Sequence, residues 1–296
     1  MKRKIASKDF NISDLPSNRK EVFFDCIKNR FRYLFYSGLI VFISIIPIII
    51  IYFIKSIYLG ALFEEFNQGN ITNDDYKTGT MTYLLIYDGL IVLSSFIVSL
   101  SICGLTRVIR QIAWEEPLFF FKDFTDGIKM NYKHISIHLF VLSLIYLISD
   151  VSLYIQMRFQ ILSYIPYGIF FLVAIPMTLY NVSQTNIYII SNNKATKNSV
   201  LFLLKSVPVC ILFSAIIALV IFVGFIPNIT IKILVYILLV MLLFPIYYLA
   251  WFLYSCSVFD KYLNVNYYPE IVDKGIVRKE GYKKLEPTIV INNEEE

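Results

Sequence analysis

The chain has 296 residues, 57% of them hydrophobic and 17% charged, with a formal net charge of +5. Soluble domains are about 45–50% apolar and about 25% charged, so both departures exclude an ordinary soluble globule and point to a membrane protein with several spans. The basic residues fall between apolar runs and gather on no single domain, which argues against nucleic acid as a partner.

Residues 1–32 are polar, with nine Lys or Arg against four Asp or Glu. Phe23, Phe24, Ile27 and Phe31 recur at helical spacing. This predicts an amphipathic helix that either packs under a bundle or lies on the membrane surface. About thirty polar residues ahead of the first apolar run are not the pattern of a cleavable signal peptide.

Six apolar runs follow, at about 33–54, 83–103, 135–155, 161–188, 206–226 and 233–256. Each is roughly 20 residues or more, enough at 1.5 Å per residue to cross a hydrocarbon core of about 30 Å. Backbone groups in lipid must bond within their own segment, so the runs are expected to be helices, and their length excludes a β-barrel. The predicted fold is all-α: a six-helix transmembrane domain over 33–256 and a polar tail over 257–296, whose acidic end Glu294–Glu296 reads as disordered.

The basic residues orient this bundle. The N-terminal segment, the 104–134 and 189–205 connectors and the tail together hold 23 Lys and Arg. The other three connectors hold four: Lys55, Lys77, Arg158 and Lys232. By the positive-inside rule both termini of this multi-pass protein are expected to face the cytoplasm. The segment 55–82, with Glu64, Glu65, Asp74 and Asp75, becomes a polar outer cap.

The connector 104–134 reads as an interfacial helix. Pro117 suits its first turn, with Glu115 and Glu116 beside the positive end. Phe120, Phe121, Phe124 and Ile128 fall on one face, with Lys122, Lys129 and Lys133 opposite. Those three lysines are candidate contacts to lipid headgroups. A parallel internal repeat is also suggested, because the residues from Lys133 resemble those from Lys205 and Asp126 corresponds to Asn198.

Intramembrane carboxylates are costly, about 2.5–3.5 kcal/mol or more near the centre, so they face a cavity or a partner. Asp88 and Asp150 are the candidates, each about five residues inside the outer end of its run, with Ser94, Ser95 or Tyr87 as bland partners. Asn181, Gln184 and Asn186 make a polar stripe at the inner end of the fourth run. Prolines 166, 176, 208 and 245 interrupt the last three runs. Asp88, Asp150, Asn181 and Gln184 therefore form the candidate polar site, as a lined pathway or as packing. His134 and His138 share a helical face but have no third ligand, and no metal or cofactor is expected. The four cysteines form no C-x-x-C pair and read as small buried side chains. No phosphate loop or nucleophile elbow is present, so no enzyme activity is expected.

The stretch Gly104-Leu-Thr-Arg107-Val-Ile-Arg110, the pair Glu115-Glu116, the run Phe119–Phe121, the step Asp123-Phe124 and the stretch Lys129-Met-Asn131-Tyr-Lys133 together resemble the signature of the YesL-like family of bacterial integral membrane proteins. Tyr180-Asn181 onward to Lys197-Asn198-Ser199 is similar as well, and the resemblance covers about residues 20–277. It departs at Ile102 and Cys103, where relatives carry Pro and Ala. The resemblance implies a multi-spanning protein of uncharacterised function, without assigned catalytic residues, and an accessory role beside carbohydrate uptake systems. The expected function is a non-catalytic accessory or structural component, with the bilayer and a membrane transporter complex as partners. The rival is a small secondary transporter that uses its intramembrane carboxylates. A polar cavity joining Asp88 and Asp150 to Asn181 and Gln184 would distinguish the two.

Overall fold

The structure, a computed structural model, describes residues 15–155 and 160–277. The acidic end at 294–296, the basic stretch before residue 15 and the connector that carries Arg158 lie outside these residues. The described residues are helical, with no strand among them. Seven helical segments follow one another: α1 (Arg19–Asn67), α2 (Asn73–Ala113), α3 (Phe120–Tyr154), α4 (Ile161–Ile187), α5 (Asn192–Lys205), α6 (Val207–Gly224) and α7 (Thr230–Tyr267). All but α5 are long and apolar enough to cross a membrane.

The first three helices are longer than the apolar runs within them. They have 49, 41 and 35 residues, or about 73, 61 and 52 Å at the helical rise, against a hydrocarbon core of about 30 Å. The amphipathic segment before residue 33 is the first part of α1. Its buried residues Val22 and Cys26 pack within the bundle, and the Cys26 thiol reaches the Ile112 carbonyl at 3.7 Å. The 55–82 cap is the far ends of α1 and α2, closed by a tight turn in which Thr72 and Asp75 form a capping box.

The connector 104–134 is likewise no separate helix. Residues 104–113 complete α2, 114–119 turn the chain, and α3 runs unbroken from Phe120. Pro117 precedes the helix and does not start it. The first turn is capped by Asp123, which accepts from the Phe119 N–H at 2.6 Å and from Gln111 Nε2 at 2.9 Å. Phe120 and Phe124 are buried in protein, while Phe121 is exposed. Phe124 lies on Gly104, where an added Cβ would stand 2.3 Å from the ring. Lys122, Lys129 and Lys133 are exposed along one side of α3.

Helix α2 is the centre of the bundle, touching α1, α3, α4 and α7. Of its most apolar stretch, 61% is inside the protein, against 17–28% for the other five. It carries small residues where neighbours press closest (Ser94, Ser95, Ser99, Ser101, Cys103, Gly104), the pattern by which membrane helices approach when lipid offers no hydrophobic drive. The α1–α7 contact is closer still. A Cβ at Gly38 would stand 1.9 Å from the Met241 carbonyl oxygen.

The prolines explain the irregular second half. Regular α-helix resumes one residue before each of Pro166, Pro176, Pro208 and Pro245, at Ile165, Ile175, Val207 and Phe244. Ahead of Pro176 and Pro245 the turn is widened to π geometry, over Phe170–Ala174 and Leu239–Leu243. Proline has no N–H and its ring crowds the carbonyl four residues back, and a π turn relieves both. The repeat suggested by the sequence would set the α4–α5–α6 unit beside the α2–α3 hairpin. Asp126 and Asn198 each stand six residues after the start of their helix, Phe120 and Asn192. A glutamine joins the two arms in each case: Gln111 to Asp123, and Gln184 Nε2 to the Ala195 carbonyl at 3.3 Å.

Candidate functional site

One end of the bundle carries the first and last described residues and is filled with side chains. Tyr180, Trp251, Phe202 and Phe259 are packed together, with the Tyr180 and Trp251 rings 4.7 Å apart. Tyr188 donates to Asn264 Oδ1 at 2.5 Å. Arg19 pairs with Asp260 at 2.8 Å and donates to the Lys274 carbonyl. Lys274 pairs with Glu116 at 2.8 Å and, with Arg110, sits against the Trp114 ring, their charges 4.3 and 5.0 Å from its centroid. Glu116 therefore serves the chain's last described turn rather than the start of a helix. The residues from Tyr268 to Val277, part of the expected polar tail, are folded onto this end, where the Val277 N–H donates to the Pro16 carbonyl at 2.9 Å.

The other half of the bundle holds an ionic cluster built from three successive helices. Lys55 of α1 donates to Asp88 Oδ1 of α2 at 2.7 Å and also to Asp150 Oδ2 of α3. Tyr167 of α4 donates its hydroxyl to Asp150 Oδ1 at 2.7 Å. Lys55 is 5% exposed and Asp88 is 0% exposed. Asp88 Oδ2 has no hydrogen-bond partner among the described residues. An isolated carboxylate at such a site costs several kcal/mol, so the shared ammonium is what makes two buried acids tolerable. The charges do not balance, however: one lysine faces two carboxyl groups.

A cavity of about 1120 Å³ opens beside the cluster. Lys55 and Asp150 form part of its wall, while Asp88 lies behind them. Seven tyrosines contribute to the lining, among them Tyr52, Tyr146, Tyr154, Tyr164, Tyr167 and Tyr236. Most of the rest is Leu, Ile, Val and Phe, and Thr178, Val182 and Tyr248 mark the extent of the cavity along α4 and α7. This is the character of a small-molecule site, mostly apolar with a few convergent polar groups.

The structure brings Asp88 and Asp150 together and leaves Asn181 and Gln184 apart from them. Neither amide lines the cavity. Gln184 donates to Ser199 Oγ at 2.8 Å, and Ser199 donates to Asn181 Oδ1 at 3.0 Å, so both fasten α4 to α5. Asn186 donates to the Thr106 carbonyl at 2.5 Å and ties α4 to α2. The cavity wall that includes Asp150 therefore does not reach these amides. The other expected partners of Asp88 are engaged elsewhere. Ser94 and Ser95 donate to the carbonyls of Leu90 and Val92, and Tyr87 stacks on Tyr58. His134 is hydrogen-bonded to Asn192, and the four cysteines are buried and unpaired with one another.

Sequence reasoning missed Lys55 and Tyr167. Lys55 was counted among the charges of an outer connector, yet Ile57, Tyr58, Leu59 and Leu62 continue the apolar pattern beyond it. That continuation was the available signal, because it places the lysine inside a longer helix opposite two unpaired acids. No family model matches this chain, and comparisons with curated proteins and with solved structures return no similar one.

Proposed function

We propose that this chain is a non-catalytic, multi-pass plasma-membrane protein that handles a small solute through the Lys55–Asp88–Asp150 cavity, as a small secondary transporter does. The single observation that supports this reading is the ionic cluster on the wall of a cavity large enough for a metabolite. Ionisable groups inside a membrane bundle are expensive to keep, and substrate or ion pathways are where they recur. The division of basic residues, 23 in the segments read as cytoplasmic against Lys77, Arg158 and Lys232 in those read as outer, supports cytoplasmic termini, and on that reading the cavity lies in the outer half of the bundle. The packed end then becomes the cytoplasmic seal of an outward-facing state.

A second reading keeps the protein as an accessory to a solute-uptake complex, in line with the resemblance to YesL-like proteins. It is favoured by the α1–α2 hairpin, whose helices run well past the length a bilayer requires and carry exposed Phe63, Glu64 and Glu65 toward the tip. Such a projection suits contact with another membrane subunit.

Proteoliposomes holding the purified protein, given an imposed pH gradient and radiolabelled sugars, amino acids and amines, test the first reading. Saturable uptake that Asp150→Asn abolishes is the expected result. No uptake of any of them, together with stoichiometric recovery of a permease in a mild-detergent pull-down, would transfer the assignment to the accessory role. Cysteine labelling from outside, positive at Asn70→Cys and negative at Lys279→Cys, tests the orientation.

A further inference from the structure

The chemical class of the solute follows from the charge and lining of the same cavity, an inference that rests on the solute-site reading above. With both acids ionised, the cluster carries one net negative charge on an apolar wall, where a low dielectric magnifies it. Both oxygens of Asp150 accept hydrogen bonds, one from Lys55 and one from Tyr167. It is also the acid that faces the cavity, whereas Asp88 is sealed behind. Tyr146, Tyr154 and Tyr167 line the same cavity as Asp150, and the negative face of an aromatic ring attracts ammonium groups. An anion would meet a wall whose one positive charge, Lys55, is already shared between two carboxylates.

We infer that the cavity binds a lipophilic organic cation, an amine or quaternary onium ion with an apolar body, with its charge against Asp150 among the tyrosines. The unpartnered Asp88 Oδ2 then has a role. When the incoming cation takes over Asp150, Lys55 must find another acceptor, and the second oxygen of Asp88 stands free to receive it. Asp88 is thereby the reserve partner that lets the lysine release Asp150 without becoming an unpaired buried charge. The size of the cavity suits the apolar body, and its Leu, Ile and Phe surfaces supply the rest of the contact.

A pair of probes with one shape and opposite charge decides this. Tetraphenylphosphonium and tetraphenylborate are tested for saturable binding to the detergent-purified full chain by equilibrium dialysis. The expected result is saturable binding of the cation, with none for the anion. Asp150→Asn is expected to weaken cation binding by about tenfold or more, the loss of a desolvated ion pair. Asp150→Glu, which keeps the charge, is expected to recover most of it. The wild-type comparison needs no variant, so a variant that fails to fold leaves the test intact. Equal binding of both probes, or tighter binding of tetraphenylborate, would overturn the cation assignment while leaving a solute site. Cation binding that persists in a folded Asp150→Asn would overturn the placement at Asp150. Binding of neither probe would overturn the cation assignment, and uptake of a sugar in the proteoliposome experiment would show that the solute site itself survives.

Discussion

The two ends of this bundle solve the same problem in opposite ways. At the end that holds the first and last described residues, several buried polar groups pair across helices: Arg19 with Asp260, Tyr188 with Asn264, Gln184 with Ser199. Large aromatic side chains fill the space between them. In the other half, three charged residues share contacts that leave one carboxylate oxygen without a partner, and a cavity adjoins them. Ring packing and paired side chains hold the first end closed, even though Trp251 Nε1 and Gln184 Oε1 there have no hydrogen-bond partner among the described residues. The second keeps space and unbalanced charge, which a structure retains at a cost to stability and which binding would use.

The largest effect should come from breaking the charged cluster itself. Lys55→Met leaves Asp88 and Asp150 facing each other without a cation, and removing one partner from a buried ionic group costs about 3–5 kcal/mol. The expected outcome is a marked fall in thermal stability, read by fluorescence-detected size exclusion after heating. The triple variant Lys55→Met, Asp88→Asn, Asp150→Asn removes the charge imbalance and should recover most of the loss. A single variant as stable as the wild type would show that the acids are not held ionised by Lys55.

Much of this contrast was open to reading in the sequence, and the part that was not has a definite cause. Six apolar stretches of the right length translate into six helices because a bilayer leaves the backbone no alternative. Asp88 and Asp150 stand out for the same reason, as acids where acids are expensive. What the sequence does not carry is azimuth across helices. Asn181 and Gln184 share a run with Pro176 and look like part of one pathway, yet the direction of their side chains sends them to Ser199 and away from the cavity. Lys55 was hidden by a length rule: a run closed at about 20 residues ends at 54 where α1 continues to Asn67, so a core lysine passed for a connector charge. Phe120 and Phe124 gave a sound amphipathic pattern, but the surface they cover is protein, with Tyr33 and Tyr36 of α1 over Phe120 and Gly104 of α2 under Phe124.

The closed end should answer to volume rather than to charge. Trp251 is fully buried, with the rings of Tyr180 and Phe213 at 4.7 and 5.1 Å. Trp251→Ala opens a void between them and should cost about 3 kcal/mol, the low end for a buried aromatic. Tyr164→Ala at the cavity, where the side chain is largely exposed, should change stability by about 0.5 kcal/mol or less. Equal losses for the two would erase the distinction between a packed end and an open one. Between these lies Gly38→Ala. The Met241 carbonyl leaves no room for a methyl group there, so α1 and α7 must separate, at about 1–3 kcal/mol by the usual cost of overpacking. Denaturation followed by intrinsic tryptophan fluorescence checks all three.

A small effect is also expected at the rim of the closed end, and it separates packing from charge there. Lys274 is 40% exposed at its side chain and Glu116 is 28% exposed, so their 2.8 Å pair is screened by solvent. Glu116 also meets Arg110 at 3.6 Å, which keeps it partnered when Lys274 is changed. Lys274→Met removes one ion pair and the charge over Trp114 but keeps an apolar stem against the ring, so the loss should be about 1 kcal/mol or less and should shrink further in high salt. Lys274→Ala also removes the stem and should cost more than Lys274→Met at every salt concentration. If the two variants behave alike and salt abolishes both effects, charge alone docks the last described turn. If only Lys274→Ala is impaired, the turn is held as the rest of that end is, by contact with the aromatic surface beneath it.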